Sequence, residues 1–346
     1  MRVMSIFCLY GSLGASSNYR ILQYCNDLEE KLIIKPFVFW PDVYNEKLIY
    51  DKEKYKFVVF IMYVYSVLKR LFQIVFIANE TDIIFIQKCL FPKIKFMHKV
   101  LFMNKDKKII YDVDDAVYLD NASDSNSIAQ KADLVIVGNH QLALYYSQLN
   151  EKIVLIPTAD MTEKYRKHII STFDKKVIGW IGSKSTIENL ELVIEPLNEI
   201  IERHPEVEFH YVCDKDYGFS KLISNAYFIR WQPDEYISDM ANFSIGIMPL
   251  NYNEFNASKC GFKLIQYMNL EKPVIATDLG ENGKIVGMCG FIVKNDDEAW
   301  INALENLLYN EQTYKRCVAN IQCSFFDVYS YKTVLHKLMN AIESVN

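Results

Sequence analysis

The sequence predicts an α/β protein made of two successive open units, each a parallel sheet wrapped by helices. Three observations carry this reading. Short β-branched and aromatic runs alternate with helical patterns along the whole chain, as crossover-connected parallel strands require. The length of 346 residues suits two domains at roughly 150 residues each. Each unit opens on a strand that runs into a glycine-containing turn, Gly11–Gly14 in the first and Gly182 in the second. A hydrophobic fraction of 51% with 14% aromatics supplies two cores and excludes global disorder.

In the first half, strands are expected at Val3–Leu9, Leu32–Phe39, Asp82–Gln87, Lys108–Asp112, Leu134–Val137 and Ile153–Ile156. The opening run is too short for a secretory core and has no small-residue cleavage site, so it reads as a buried strand. Phe57–Leu68 and Leu71–Ala78 are apolar but interrupted by Lys69-Arg70. Spanning a bilayer takes about 20 apolar residues, so the pair is expected to form a half-buried helix rather than a transmembrane one. The polar stretch Pro157–Lys175 marks the domain boundary. Strands follow at Lys176–Ile181, Glu206–Val212, Tyr227–Arg230, Ile245–Pro249 and Pro273–Ala276, with helices at Thr186–Arg203 and Glu298–Tyr309. A last helix, Tyr329–Val345, has no strand after it. The expected divisions are 1–165, 166–328 and 329–346.

Lys plus Arg is 38 and Asp plus Glu is 43, a net charge of −5 that argues against a general nucleic-acid binder. The charge is uneven, +1 over residues 1–165 and −6 over the rest. The eight cysteines include no C-x-x-C pair and read as reduced, cytosolic thiols. Between Lys88 and Lys108 stand seven lysines (88, 93, 95, 99, 105, 107, 108) against the single acid Asp106, interleaved with apolar residues. Such a face suits either an anionic bilayer surface or plain solvation. The first reading makes it a peripheral anchor with no part in catalysis.

Four segments can carry chemistry. The first turn, Gly11 to Arg20, has free backbone N–H groups and two candidate helix caps, Ser16 and Ser17, but matches neither the dinucleotide fingerprint nor the P-loop. The second, Gly182-Ser183-Lys184-Ser185-Thr186, joins small residues, three hydroxyls and a charge between a strand and a long helix, which favours a phosphate. Asp112, Asp114 and Asp115 repel one another, so something must use them: a divalent cation, a sugar hydroxyl or a helix cap. In Ser258–Met268, Lys259 and Lys263 are expected to share a helix face near its start, where the dipole also favours an anion. Gln266 lies one turn further and can both donate to and accept from a ribose hydroxyl pair.

The residues Tyr111–Ala116, Gly138-Asn139, Gly179–Thr186, Ile245–Leu250 and Lys259–Met268 stand as Y-D-x-D-D-A, G-N, G-W-I-G-S-x-S-T, I-G-I-M-P-L and K-C-G-F-K-L-x-x-Y-M. In these blocks the chain resembles the retaining glycosyltransferases of family 4, bacterial branch, over nearly its whole length. The resemblance implies a GT-B fold: two Rossmann-like domains, a cleft between them as the site, and a C-terminal helix crossing back to the first. It implies that the first domain binds the acceptor, a glycan or lipid-linked hydroxyl, and the second a nucleotide-diphosphate sugar. It further implies retention at the anomeric carbon and no obligatory metal; with the reduced thiols and the basic face, the expected setting is cytoplasmic and peripheral on the inner membrane, in cell-surface polysaccharide synthesis, with no other cofactor.

On that resemblance the catalytic candidates are Asp112, Asp114, Asp115 and Lys263. Donor-binding candidates are Gly11, Gly14, Gly182, Ser183, Lys184, Ser185, Thr186, Ser258, Lys259 and Gln266. Acceptor-binding candidates are Ser17, Arg20, Gly138 and Asn139. The chain departs from the family pattern in three places. Ser258 and Gln266 stand where two glutamates are usual, Ser183 and Glu188 where an Arg and a Lys usually hold the diphosphate, and Asp114 where many members have a His. Two rival readings follow: a metal-dependent transferase with Asp112 and Asp114 as a D-x-D pair, and a degenerate transferase-like subunit that binds nucleotide sugar or a partner enzyme without turnover.

Overall fold

The computed structural model describes residues 1–44, 48, 54–103 and 106–345. The chain divides into two compact units, one formed by 1–158 with 334–346 and the other by 159–333. Both are open sheets of six strands with helices packed around them.

The first unit holds β1 (Arg2–Cys8), β2 (Leu32–Val38), β3 (Ile83–Gln87), β4 (Lys108–Val113), β5 (Leu134–Val137) and β6 (Ile153–Leu155). All pair in parallel, in the order β2-β1-β3-β4-β5-β6. The order reverses between β1 and β3, and in such sheets ligands bind beyond the strand ends at the reversal. β3 and β5 are buried at every residue because both faces are covered, which is why they read as unbroken apolar runs.

The second unit holds β7 (Val177–Ile181), β8 (Glu208–Cys213), β9 (Ala226–Arg230), β10 (Ile245–Met248), β11 (Val274–Thr277) and β12 (Gly290–Val293), in the order β12-β11-β10-β7-β8-β9. Here the reversal lies between β7 and β10. These two strands pair only at Ile245 with Ile178 and Gly246 with Gly179. Both glycines are required by close approach. A Cβ on Gly179 would stand 1.9 Å from the Phe243 ring, and one on Gly246 2.3 Å from the Tyr267 ring. Beyond the paired glycines the strands part, and the Tyr267 hydroxyl bridges them, accepting from Ile181 N–H at 2.9 Å and donating to the Ile247 carbonyl at 3.3 Å.

Several expectations are corrected. The segment 186–203 is a 3-10 turn, Ile187–Val193, followed by the helix Ile194–Arg203. Ser16 and Ser17 do not cap the helix Ala15–Arg20, which starts at Gly14 without a side-chain cap. Lys259 does not share a helix with Lys263. The short helix Glu254–Ala257 ends before it, and Gly261, at φ 61°, starts the helix Phe262–Asn269 after it.

The apolar segment is half-buried, and its outer side leaves large apolar side chains exposed. Helix Lys56–Phe72 continues through a wider turn, Gln73–Ile77, giving 22 residues long and apolar enough to cross a membrane by length and composition. Ser66, Arg70, Gln73 and Ile74 are buried and Val59, Met62, Tyr63, Val67 and Leu71 pack against the core, while Phe57, Phe60, Val64, Leu68, Phe72 and Phe76 face out.

Candidate functional site

In the second unit the polar loops at the ends of β7 and β10 gather around Trp180. The turn after β7 closes tightly, Thr186 N–H donating to the Ser183 carbonyl at 2.9 Å. Thr186 Oγ1 accepts from Ser183 N–H at 3.3 Å and donates to its carbonyl at 3.2 Å, so this hydroxyl is spent on the turn. Ser183 and Ser185 hydroxyls face each other at 3.0 Å on the exposed side, beside exposed Lys184. Gly182 lies against the Trp180 ring, where a Cβ would come within 2.3 Å of it.

Lys263 reaches the same ring from the helix Phe262–Asn269. Its Nζ is 5.6 Å from the Trp180 centroid, on the helix that also delivers Tyr267 one turn later. Burial, with the Lys259 charge beside it, pushes the Lys263 ammonium down to about 7. Among the described residues no carboxylate lies within ion-pair distance of Lys263. Lys259 Nζ stands 4.0 Å from the Phe255 ring centroid. Two neighbouring ammonium groups, one desolvated and lacking a counter-ion, form a place where an anion lowers the energy.

Ser258 and Gln266 are occupied otherwise. Buried Ser258 donates its hydroxyl to the Glu254 carbonyl at 3.0 Å. Gln266 Nε2 donates to the Tyr165 hydroxyl at 3.5 Å, and Tyr165 donates to Asp160 Oδ2 at 2.5 Å. Tyr236 donates to the same oxygen at 3.3 Å, and burial raises the Asp160 carboxyl against the pull of these donors. Asp160 was not singled out from the sequence. Its signal was a lone acid just past a strand, next to apolar residues.

In the first unit, Asp112 ends β4 buried against Arg20, whose Nη2 lies 2.5 Å from Oδ1. Arg20 Nη1 also donates to the Ile156 carbonyl at 2.7 Å and to Thr158 at 3.3 Å. Burial raises the Asp112 carboxyl, and Arg20 opposes it. Asp114 and Asp115 share Lys88, at 3.4 and 3.1 Å. Burial favours a protonated Asp114, but Lys88 and then Arg20 outweigh it and hold the carboxyl below its usual range. Lys88 adopts φ 64°, a left-handed conformation that costs a non-glycine residue roughly 1–3 kcal/mol and concentrates at functional sites. Gln87 Nε2 donates to Asp114 at 3.3 Å, and Ser17 donates to Gln87 Oε1 at 3.4 Å. Three carboxylates are thus met by two cations at the strand ends beside the β1/β3 reversal.

Lys88 therefore belongs to this cluster and not to a basic surface, and Lys108 pairs with Asp133 at 2.9 Å. Lys105 lies outside the described residues; Lys93, Lys95 and Lys99 are exposed. Asn139 is fully buried and caps the helix His140–Tyr146, accepting from Leu142 N–H at 2.8 Å, with Gly138 leading into it. Gly11 and Gly14 close the first turn, Gly14 N–H donating to the Gly11 carbonyl at 2.9 Å.

Residues 175–310, all within the second unit, match the family model described as glycosyl transferases group 1. Among solved structures, the chain is similar to a glycosyltransferase from Rickettsia africae, 13% identical with a TM-score of 0.71, covering 99% of this chain and 98% of that one. It is also similar to sucrose-phosphate synthase from Thermosynechococcus elongatus, 15% identical at 0.71, covering 100% and 99%. HepE from Anabaena, solved with UDP and glucose, is 15% identical at 0.69, covering 99% and 100%. The two six-stranded parallel sheets with their helices are those of GT-B glycosyltransferase structures. No curated protein matches the chain in sequence.

Proposed function

We propose that this protein is a glycosyltransferase that takes a sugar from a nucleotide-diphosphate donor and places it on a hydroxyl of a glycan or lipid-linked acceptor. The observation that carries the reading is Lys263, a half-buried ammonium with no carboxylate partner among the described residues. It stands over Trp180 beside the Gly182–Thr186 turn, inside the stretch that matches group 1 glycosyl transferases. The diphosphate of the donor is the anion that this arrangement suits. As the bond from the anomeric carbon to the diphosphate oxygen breaks, negative charge grows on that oxygen. Lys263, Lys259 and the Ser183 and Ser185 hydroxyls act as preorganised donors to it. HepE from Anabaena holds UDP, which makes uridine nucleotides the first donors to test.

In the first unit, Asp114 with Lys88 and Gln87 orients the acceptor hydroxyl, and Asp112 holds Arg20 in place. Transfer proceeds with retention and without a metal, in the cytoplasmic synthesis of a bacterial cell-surface polysaccharide. A chelator should then leave the rate unchanged. The rival reading, a subunit that binds nucleotide sugar without turnover, has one observation in its favour: Ser258 and Gln266 supply no carboxylate and are already hydrogen-bonded.

The test is calorimetric titration of UDP alongside initial rates of UDP release from UDP-sugars. A charge-assisted phosphate contact is worth about 1.5–3 kcal/mol, so Lys263→Ala should weaken UDP roughly ten- to a hundredfold and reduce turnover by more. UDP binding without release from any sugar donor would favour the non-catalytic reading. Parent-like behaviour of Lys263→Ala, with failure of Lys184→Ala, would place the charge in the turn instead.

A further inference from the structure

The helix Lys56–Phe72 and its continuation to Ile77 are apolar on the outer side as well as on the side packed against the core. Phe57 is 75% exposed, Phe60 63%, Leu68 61%, Phe72 57% and Phe76 61%. Phe60, Val64, Leu68, Phe72 and Phe76 recur every fourth residue, and Phe57, Ile61 and Tyr65 run beside them, so the exposed side chains form one outward stripe. The opposite face buries Ser66, Arg70, Gln73 and Ile74 and packs Val59, Met62, Tyr63, Val67 and Leu71 against the core. Arg70 Nη2 donates to the Cys8 and Phe37 carbonyls at 2.9 and 3.0 Å, and its guanidinium lies over the Phe7 and Phe39 rings. A helix that packs one apolar side on the core and still presents a stripe of phenylalanines outward has a second side suited to meet something apolar.

The surrounding charge says what that is. Between Glu53 and Glu80 the sequence contains Lys54, Lys56 and Lys69 besides the buried Arg70, and no acid. The Tyr63 hydroxyl donates to the Pro92 carbonyl at 2.6 Å, which ties this helix to the following loop. That loop exposes Lys93, Lys95 and Lys99 around Phe96 and leads to Met103, themselves 56% and 70% exposed. Phe96 N–H is held by the buried Asp124 carboxylate at 2.9 Å, and the exposed apolar side chains set among lysines complement a bilayer interface bearing anionic headgroups.

We infer that this face of the first unit docks on an anionic lipid surface, the helix lying in the plane of the interface. A spanning orientation is disfavoured although 22 residues suffice in length, because Arg70 and Tyr63 fasten the helix to strand ends and loop of its own unit. The inference is independent of the proposed transfer reaction and survives if that fails.

The test is co-sedimentation of the full chain with phosphatidylcholine vesicles, with and without phosphatidylglycerol. The parent is expected to sediment with the anionic vesicles. Replacing Phe60, Leu68 and Phe72 together by Ser, all at exposed positions, should weaken this at least about tenfold while leaving the unfolding midpoint unchanged. Changing Lys93, Lys95 and Lys99 to Gln should weaken it at low salt by about fivefold per lysine. No sedimentation of the parent, or equal sedimentation of the serine variant, overturns the inference. A parent dimer that the serine substitutions dissociate also overturns it, because a second copy would then cover the stripe.

Discussion

Lys263 is the residue on which the proposed chemistry turns, and its environment fixes the sign of two pH effects. Its ammonium ordinarily titrates at 10.5 and is lowered to about 7 by burial and by Lys259. Between these values the unfolded chain holds a proton there that the folded chain lacks, so this residue makes stability rise with pH across that window. Measured against Lys263→Met, the parent should be less stable below pH 7, on the order of 1–3 kcal/mol, and the difference should vanish by about pH 10. A bound diphosphate restores the charge. UDP binding at pH 8 should therefore take up a proton, visible as a dependence of the calorimetric heat on buffer ionisation enthalpy, and affinity should fall as pH rises above 7. The aspartates divide by the same reasoning. Asp112→Ala leaves Arg20 buried without its partner and should cost about 3–5 kcal/mol, measured by denaturant unfolding. Asp114→Asn keeps its shape at a partly open position and should lower turnover while leaving unfolding near the parent's. Equal loss of stability in both would make the trio structural.

At the scale of elements, the helix Phe262–Asn269 links the donor lysine to the parting of β7 and β10. Tyr267→Phe strands the Ile181 N–H and Ile247 carbonyl and should cost about 1–3 kcal/mol while weakening UDP, since the next residues along β7 form the turn. Gly246→Ala should cost about as much through overpacking on the Tyr267 ring, and both are read by thermal unfolding. Eleven of the twelve strands were legible in the sequence, because parallel strands covered on both faces are short apolar runs between turn residues. β12 was missed; its four residues, Gly290–Val293, lie at the sheet edge, half-buried, with too little pattern to read. The turn at Gly182 and the carboxylate trio were legible as polar clusters at strand ends. Lys88 was not, since counting it among seven lysines concealed that β3 ends one residue earlier and turns it toward Asp114. Lys259 was misplaced because a spacing of four looks helical, whereas Gly261 at φ 61° breaks the helix between. The helix at Lys56–Phe72 was legible as an apolar run interrupted by Lys69-Arg70, but not that its outer side would keep its phenylalanines exposed.

For the molecule as a whole, charge and apolar surface are distributed in a way that composition alone does not suggest. The half of the chain with net charge −6 is the one proposed to bind the anionic donor, so attraction there has to come from placed groups, Lys259 and Lys263, and not from the general field. The half at +1 carries the lysines and the apolar stripe. The division of labour between the units is tested most directly by amide hydrogen exchange of the full chain with and without UDP. The account predicts slowed exchange in 181–187 and 258–267, with 54–103 unchanged. Protection confined to the first unit, or none with any nucleoside diphosphate, would contradict it.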